Sequence, residues 1–235
     1  MRFYVCNPWL LYVWINILSF AFCYDQLVNA ASTIVSSSST YNYGSYTGSA
    51  DKTIDGNLDQ VYTNCMHTVG GRSEAWLQID LGGLFNLKSV KIWYRQDINR
   101  GKDQNTKRLK GFSILASYEP VLKPYTSIVD KRYQCYKDPG NVTLDTELEL
   151  NCTRLARYVT IYNDQKNDGN GVFLEICEVE IYGCPRRRYG ENCTRCDTCN
   201  AECDVTGRCD TLGCKEGYHP PFCKAKKAGG VTKNT

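Results

Sequence analysis

The chain of 235 residues is short of the groups most enzymes use. It contains only two histidines, His67 and His219, and it has no Gly-x-Ser-x-Gly nucleophile elbow and no phosphate-binding glycine loop. Asp97 has no evident partner carboxylate, so the pair of opposed acids that glycoside hydrolysis requires is missing. Neither sign of charge predominates: 28 Lys and Arg face 25 Asp and Glu, and only Arg186 to Arg188 and the final lysines cluster. That spread argues against nucleic acid as a partner. After residue 24 there is no second long apolar run and no sustained helical period, which argues against further membrane insertion and an all-helical fold. The balance favours recognition over catalysis.

What the chain does have begins at its N-terminus. Residues 3 to 24 carry no charge, Trp9 to Phe22 is almost wholly apolar, and Arg2 precedes the run. With Ala21-Phe22-Cys23 ahead of Tyr24, this reads as a secretory signal peptide over residues 1–23, a signal-anchor helix being the alternative. Its removal from 235 residues leaves 212, enough for one domain of about 150 residues and a smaller unit. Of 14 cysteines, Cys6 and Cys23 leave with the leader, and the remaining twelve indicate disulfides in an exported chain. Sequons at Asn141, Asn151 and Asn192 fit glycosylation outside the cell.

Cysteine density divides the rest. Cys65, Cys135, Cys152 and Cys177, read as disulfide-bonded, are spread over residues 24–183, whereas eight cysteines fall within 184–223. The first segment is expected to be an antiparallel β-sandwich because its apolar residues alternate with period two. Val90, Ile92 and Tyr94 share a face, as do Cys177, Val179 and Ile181, with similar runs at Ala75 to Leu81, Gly111 to Ser117 and Arg157 to Tyr162. Ser36 to Ser49 reads as a loop, and 224–235 as a disordered tail. The second segment is too short for a hydrophobic core and depends on about four bridges. Its spacing, with Tyr189-Gly190-Glu191-Asn192 and Gly217-Tyr218, resembles an EGF-like module of the laminin and scavenger-receptor kind; a zinc site using Cys196 and Cys199 is the rival reading.

Two constellations carry chemistry. Asp55, Asn57, Asn64 and Glu178 offer oxygen ligands of mixed charge, which suit calcium better than zinc. An ordinary Asp-Gly-Asn turn beside a surface glutamate is the alternative. His67, Arg95 and Arg108 offer hydrogen-bond donors that would grip a sugar's ring oxygen and hydroxyls, or equally a carboxylate or phosphate.

The ordered set Thr53-Ile54-Asp55-Gly56-Asn57, Cys65-Met66-His67-Thr68, Trp76 to Leu81, Arg95-Gln96-Asp97, Arg108-Leu109-Lys110-Gly111 and Cys177-Glu178-Val179-Glu180 resembles the F-type lectins, or fucolectins, over about residues 27–183. The resemblance implies a galactose-binding-like jelly roll that holds calcium and binds terminal L-fucose. It makes His67, Arg95 and Arg108 the sugar donors. It assigns calcium to side-chain oxygens of Asp55, Asn57, Asn64 and Glu178 with backbone carbonyls of Lys52 and Cys177, and it supports a Cys65–Cys177 bridge. The spacing departs from the family's: 27 residues separate His67 from Arg95, one more than its pattern, and counting on from Asp97 reaches Lys102, while the Arg-Leu-x-Gly context points to Arg108. The adjacent cysteines that contact sugar in some relatives are replaced around Ile98-Asn99.

The function implied is a secreted, calcium-dependent, non-enzymatic carbohydrate-binding protein for fucosylated glycans, serving glycan recognition or innate defence and gaining avidity if it forms a homo-oligomer. Two alternatives stand beside it: an adhesion module that has lost sugar binding and engages proteins through its EGF-like unit, and a binder of anionic lipid.

Overall fold

The structure, a computed structural model, describes residues 4–6, 23–29, 31–97, 105–120, 132–167 and 169–225. Up to residue 185 it contains β1 (Tyr4–Cys6), β2 (Cys23–Gln26), β3 (Ile34–Ser37), β4 (Asn42–Tyr43), β5 (Tyr46–Thr47), β6 (Ala75–Tyr94), β7 (Ser113–Ser117), β8 (Gln134–Lys137), β9 (Glu147–Asn163) and β10 (Ile176–Pro185). The large sheet runs β1-β2-β10-β6-β9-β7-β8, with β3 added to β6, and its pairings are antiparallel.

The period-two runs become strands for the expected reason, and two of them are longer than the alternation suggests. Ala75 to Leu81 and Val90 to Tyr94 belong to one strand, β6, interrupted by a register shift between Asp80 and Phe85. Gly82 sits in that shift at φ 75°, a left-handed conformation glycine takes without steric penalty. On either side of it β6 has different partners. Ala75 to Asp80 pair with the C-terminal half of β9 and, from Leu77 on, with β3; Phe85 to Tyr94 pair with β10 and, up to Trp93, the N-terminal half of β9. Both long strands therefore pass from one layer to the other, and the core fills the space between. Leu77, Ile79, Ile114 and Ile161 meet Val90, Ile92, Val179 and Ile181 in one cluster, all fully buried. Leu77→Ala is expected to cost about 2–5 kcal/mol through lost burial plus the cavity left behind, read as a lower urea midpoint with unchanged slope.

Beyond the sandwich, β11 (Arg188–Tyr189) pairs with β12 (Thr194–Arg195), and β13 (Tyr218–His219) with β14 (Lys224–Ala225). Four disulfides hold this region: Cys184–Cys193, Cys196–Cys203, Cys199–Cys209 and Cys214–Cys223. Cys196 and Cys199 are thus committed to different bridges, and the three neighbouring sulfurs of Cys199, Cys209 and Cys223 are all oxidised, so the zinc alternative loses its thiolates. The sandwich has its own two bridges, Cys65–Cys177 and Cys135–Cys152.

Several boundaries move. The line between 183 and 184 falls inside β10, whose last residues still pair with Asn86 and Phe85 on β6, because the sheet continues until Pro185. Lys224 and Ala225, expected in the disordered tail, pair with β13; residues 226–235 lie outside the described residues. The Ser36–Ser49 tract is no plain loop: it holds the end of β3 and a tight hairpin, β4–β5, turned at Gly44. Within the expected leader, Tyr4–Cys6 pairs with Cys23–Gln26, and residues 7–22 lie outside the described residues. Among the described residues no helix is long and apolar enough to cross a membrane.

Candidate functional site

The Cys65–Cys177 bridge joins two segments 112 residues apart and sets up a strand-like pairing beside it. Met66 N–H donates to Ile176 O (2.8 Å) and Thr68 N–H to Leu174 O (3.0 Å), so His67 stands opposite Glu175. On the other flank, the chain leaves β6 at Tyr94 and Arg95 N–H donates to Glu175 O (3.0 Å). The Gln60 amide closes this end, donating to Tyr94 O (2.9 Å) and Thr146 O (2.8 Å). Arg108 arrives on a separate 3₁₀ turn, Lys107–Leu109, held by fully buried Leu109 beneath it and by the Asn163 amide on Arg108 O (2.9 Å).

These three basic side chains converge on one acid. The Glu175 carboxylate is fully buried, and its Oε1 accepts from His67 Nε2 (2.9 Å), Arg95 Nη1 (2.6 Å) and Arg108 Nη1 (3.0 Å). Oε2 lies 3.1 Å from Arg108 Nη1 and 3.5 Å from the Tyr94 hydroxyl. Burial by itself would push this carboxyl up, but the hydrogen bond from His67 and the charges of His67, Arg108 and Arg95 outweigh it and hold it at about 2. A group depressed below its free value of 4.5 contributes stability that is present above that value and lost as pH falls toward about 2. Urea midpoints are therefore expected to drop between those pH values, and Glu175→Gln to flatten that part of the profile.

His67 donates differently from the sequence expectation. Its Nδ1 lies 2.6 Å from Thr68 O and its Nε2 2.9 Å from Glu175, so both nitrogens face oxygen acceptors and neither is turned to the pocket. Arg95 gives Nε (3.0 Å) and Nη2 to Asp97 and Nη1 to Glu175, which uses three of its five N–H bonds and leaves two without a partner among the described residues. Lys102, the other candidate for the second basic group, lies outside the described residues, as do Ile98 and Asn99.

Aromatic rings complete the walls. Tyr41 lies 4.9 Å from the His67 ring, Tyr62 carries the Arg95 guanidinium at 4.5 Å, and Phe173 carries that of Arg108 at 4.5 Å. Gly70 makes room for Phe173, since a Cβ there would come within 2.5 Å of the ring. Together these groups line an open cavity of about 440 Å³, within the size range of small-molecule sites. Sequence reasoning missed Glu175, Tyr41, Tyr62 and Phe173. For Glu175 a signal existed: it shares the parity of Cys177, Val179 and Ile181, so a glutamate stands at a core-facing position.

The proposed metal ligands occupy the adjoining loop. Glu178 is buried, its Oε2 accepts from Gly56 N–H (3.0 Å), and burial, Asp55 and Glu180 push its carboxyl up to about 8. Asp55 lies within hydrogen-bonding reach of it and also accepts from Asn57 N–H (2.9 Å). Asn57 Oδ1 accepts from Asp59 N–H (3.0 Å), and the Asn64 amide donates to Asp59 (3.2 Å), an acid the sequence reading left out. Lys52 sits on the preceding 3₁₀ turn with its ammonium on Thr63 O (2.9 Å), and Cys177 is fixed by its bridge. Two carboxylates drawn together, one of them buried, form a donor set that a hard cation fits. Asn141, Asn151 and Asn192 are exposed.

Comparison with known proteins bears on the same stretch. Residues 52–161 match the family model described as NedA-like, galactose-binding domain. Solved structures with similar folds include a serum fucolectin from striped bass, Morone saxatilis, at 24% identity and TM-score 0.48, covering 68% of this chain and 50% of that one. A fucose-binding module of Streptococcus pneumoniae matches at 22% identity and TM-score 0.49, covering 67% and 94% of the two chains. A family 32 carbohydrate-binding module of C. perfringens NanJ, in complex with galactose, matches at 18% identity and TM-score 0.46, covering 66% and 96%. No curated protein sequence matches the chain. Residues 52–161, a stretch that contains His67, Arg95 and Arg108, are thus similar to a galactose-binding domain.

Proposed function

We propose that the protein is an extracellular glycan-binding lectin whose pocket takes a neutral terminal sugar of the L-fucose class. The observation that carries this reading is the meeting of Arg95, Arg108 and His67, from three separate segments, at one aromatic-walled cavity. The guanidinium groups donate to a sugar's ring oxygen and hydroxyls, while Tyr41, Tyr62 and Phe173 cover its apolar face. His67 orders the floor through Glu175 and Thr68 and presents the side of its ring.

Asp55, Asn57, Asn64 and Glu178, with carbonyls of Lys52 and Cys177, would hold calcium. When bound, the cation would supply the positive charge that Asp55 and Glu178 lack. The module after the sandwich fits an EGF-like unit, in that Cys196–Cys203 and Cys199–Cys209 interleave and Cys214–Cys223 closes locally. Leu212, Tyr218 and Phe222 are exposed on it, which supports a protein-engaging role beside the sugar site.

Retention on fucose resin, lost with chelator and weakened about 10- to 100-fold by Arg108→Ala, is the expected result, since one hydrogen bond to a charged group contributes about 1.5–3 kcal/mol. Undiminished retention by the Arg95→Ala, Arg108→Ala double variant would remove the site assignment. An empty glycan array with correctly bridged protein would leave the adhesion reading.

A further inference from the structure

Glu175 lies beneath the pocket and not in its wall. Its side chain is fully buried, yet it is bonded to His67, Arg95 and Arg108, which all line the cavity. We infer that Glu175 is the specificity-determining residue of this pocket, an internal counter-anion that makes the site select neutral, hydroxyl-bearing ligands and reject phosphate, sulfate and carboxylate groups. The inference rests on the pocket being a ligand site, as proposed above.

Two guanidinium groups and an imidazole converging within hydrogen-bonding distance of one point are the parts of an oxyanion receptor. In this protein that point is occupied from within. Oε1 of Glu175 takes one donor from each of the three groups, as a bound phosphate oxygen would, and Asp97 takes two further donors from Arg95. Two carboxylates thus stand against the basic set at the pocket floor. An incoming anion would find only the two remaining N–H bonds of Arg95 open to it and the fully buried charge of Glu175 behind them, with little water to screen the repulsion. A neutral hydroxyl meets no such repulsion and can use the two remaining N–H bonds of Arg95. Exclusion by a built-in repulsive charge is a common way to discriminate between ligands that share the same donors. No extra contact to the sugar is needed.

The test titrates L-fucose and inorganic sulfate, separately, into the wild-type protein and into Glu175→Gln by calorimetry at fixed ionic strength. Wild type is expected to bind fucose and to show no measurable heat with sulfate. In Glu175→Gln the ratio of sulfate to fucose affinity is expected to rise by about tenfold or more, because removing a facing like charge removes a large penalty. An unchanged ratio in a folded Glu175→Gln protein overturns the inference. So does sulfate that displaces fucose from wild type, a measurement that does not depend on the variant folding. If neither form binds fucose while Glu175→Gln gains sulfate, the sugar reading fails and the counter-anion role stands; if wild type binds fucose and the variant gains no sulfate, the inference alone fails.

Discussion

Replacing Cys65 and Cys177 together by alanine is expected to lower the unfolding free energy by about 4–5 kcal/mol, the chain-entropy value for a closed loop of this length. The bridge spans 112 residues, so in its absence the unfolded chain regains the freedom of nearly the whole sandwich. The effect should exceed that of removing Cys135–Cys152, which closes only 17 residues. The measurement is urea unfolding of the two paired-alanine variants against wild type, and equal losses would show that loop length does not set the effect. Sugar binding should suffer as well, since the bridge stands beside the Met66–Ile176 and Thr68–Leu174 hydrogen bonds that place His67 opposite Glu175.

The second large effect is expected at Arg95. Arg95→Ala removes the 2.6 Å partner of a fully buried carboxylate and leaves it to His67 and Arg108; breaking a buried pair from one side costs up to about 3–5 kcal/mol, part of which the two remaining partners offset. The cause can be isolated. Adding Glu175→Gln to Arg95→Ala should restore part of the loss, because the under-compensated charge goes with it, even though a second substitution in one network ordinarily destabilises further. If the double variant unfolds at lower urea than Arg95→Ala alone, the penalty arises from lost packing against Tyr62 and not from the charge of Glu175. Arg108, more exposed and at a longer distance from Glu175, should give a smaller loss in the same assay.

The β-sandwich was legible in the chain because period-two alternation survives in the strands: Leu77 and Ile79, Val90 and Ile92, Val179 and Ile181 all face the core. What alternation could not show is that Ala75 and Tyr94 lie on one strand, since the core-facing positions are odd-numbered through Leu87 and even-numbered from Val90, across a second register shift between Leu87 and Ser89. The tyrosines before residue 50 were read as loop because two-residue strands such as β4 and β5 leave no period to detect. At the site, the positions of the basic residues could be read from motifs, whereas the direction of their nitrogens could not. His67 is turned inward by two acceptors, Thr68 O and Glu175, that only the folded pairing of 66–68 with 174–176 brings within reach. The surface glutamate that stood as the alternative for Glu178 does not hold: the residue is buried and its carboxylate accepts from Gly56 N–H, 122 residues away in the chain.

Strand β10 has a consequence for how the molecule presents itself. Its first residue follows Glu175 and the pocket floor, and its last residues carry Cys184 into the bridged module, whose Arg188 and Cys203 carbonyls are gripped by the Asn86 amide of β6. Ten residues of extended chain amount to about 30 Å. The pocket floor and the first bridge of the module therefore stand at the two ends of one strand, far enough apart that an occupant of the cavity leaves the module uncovered.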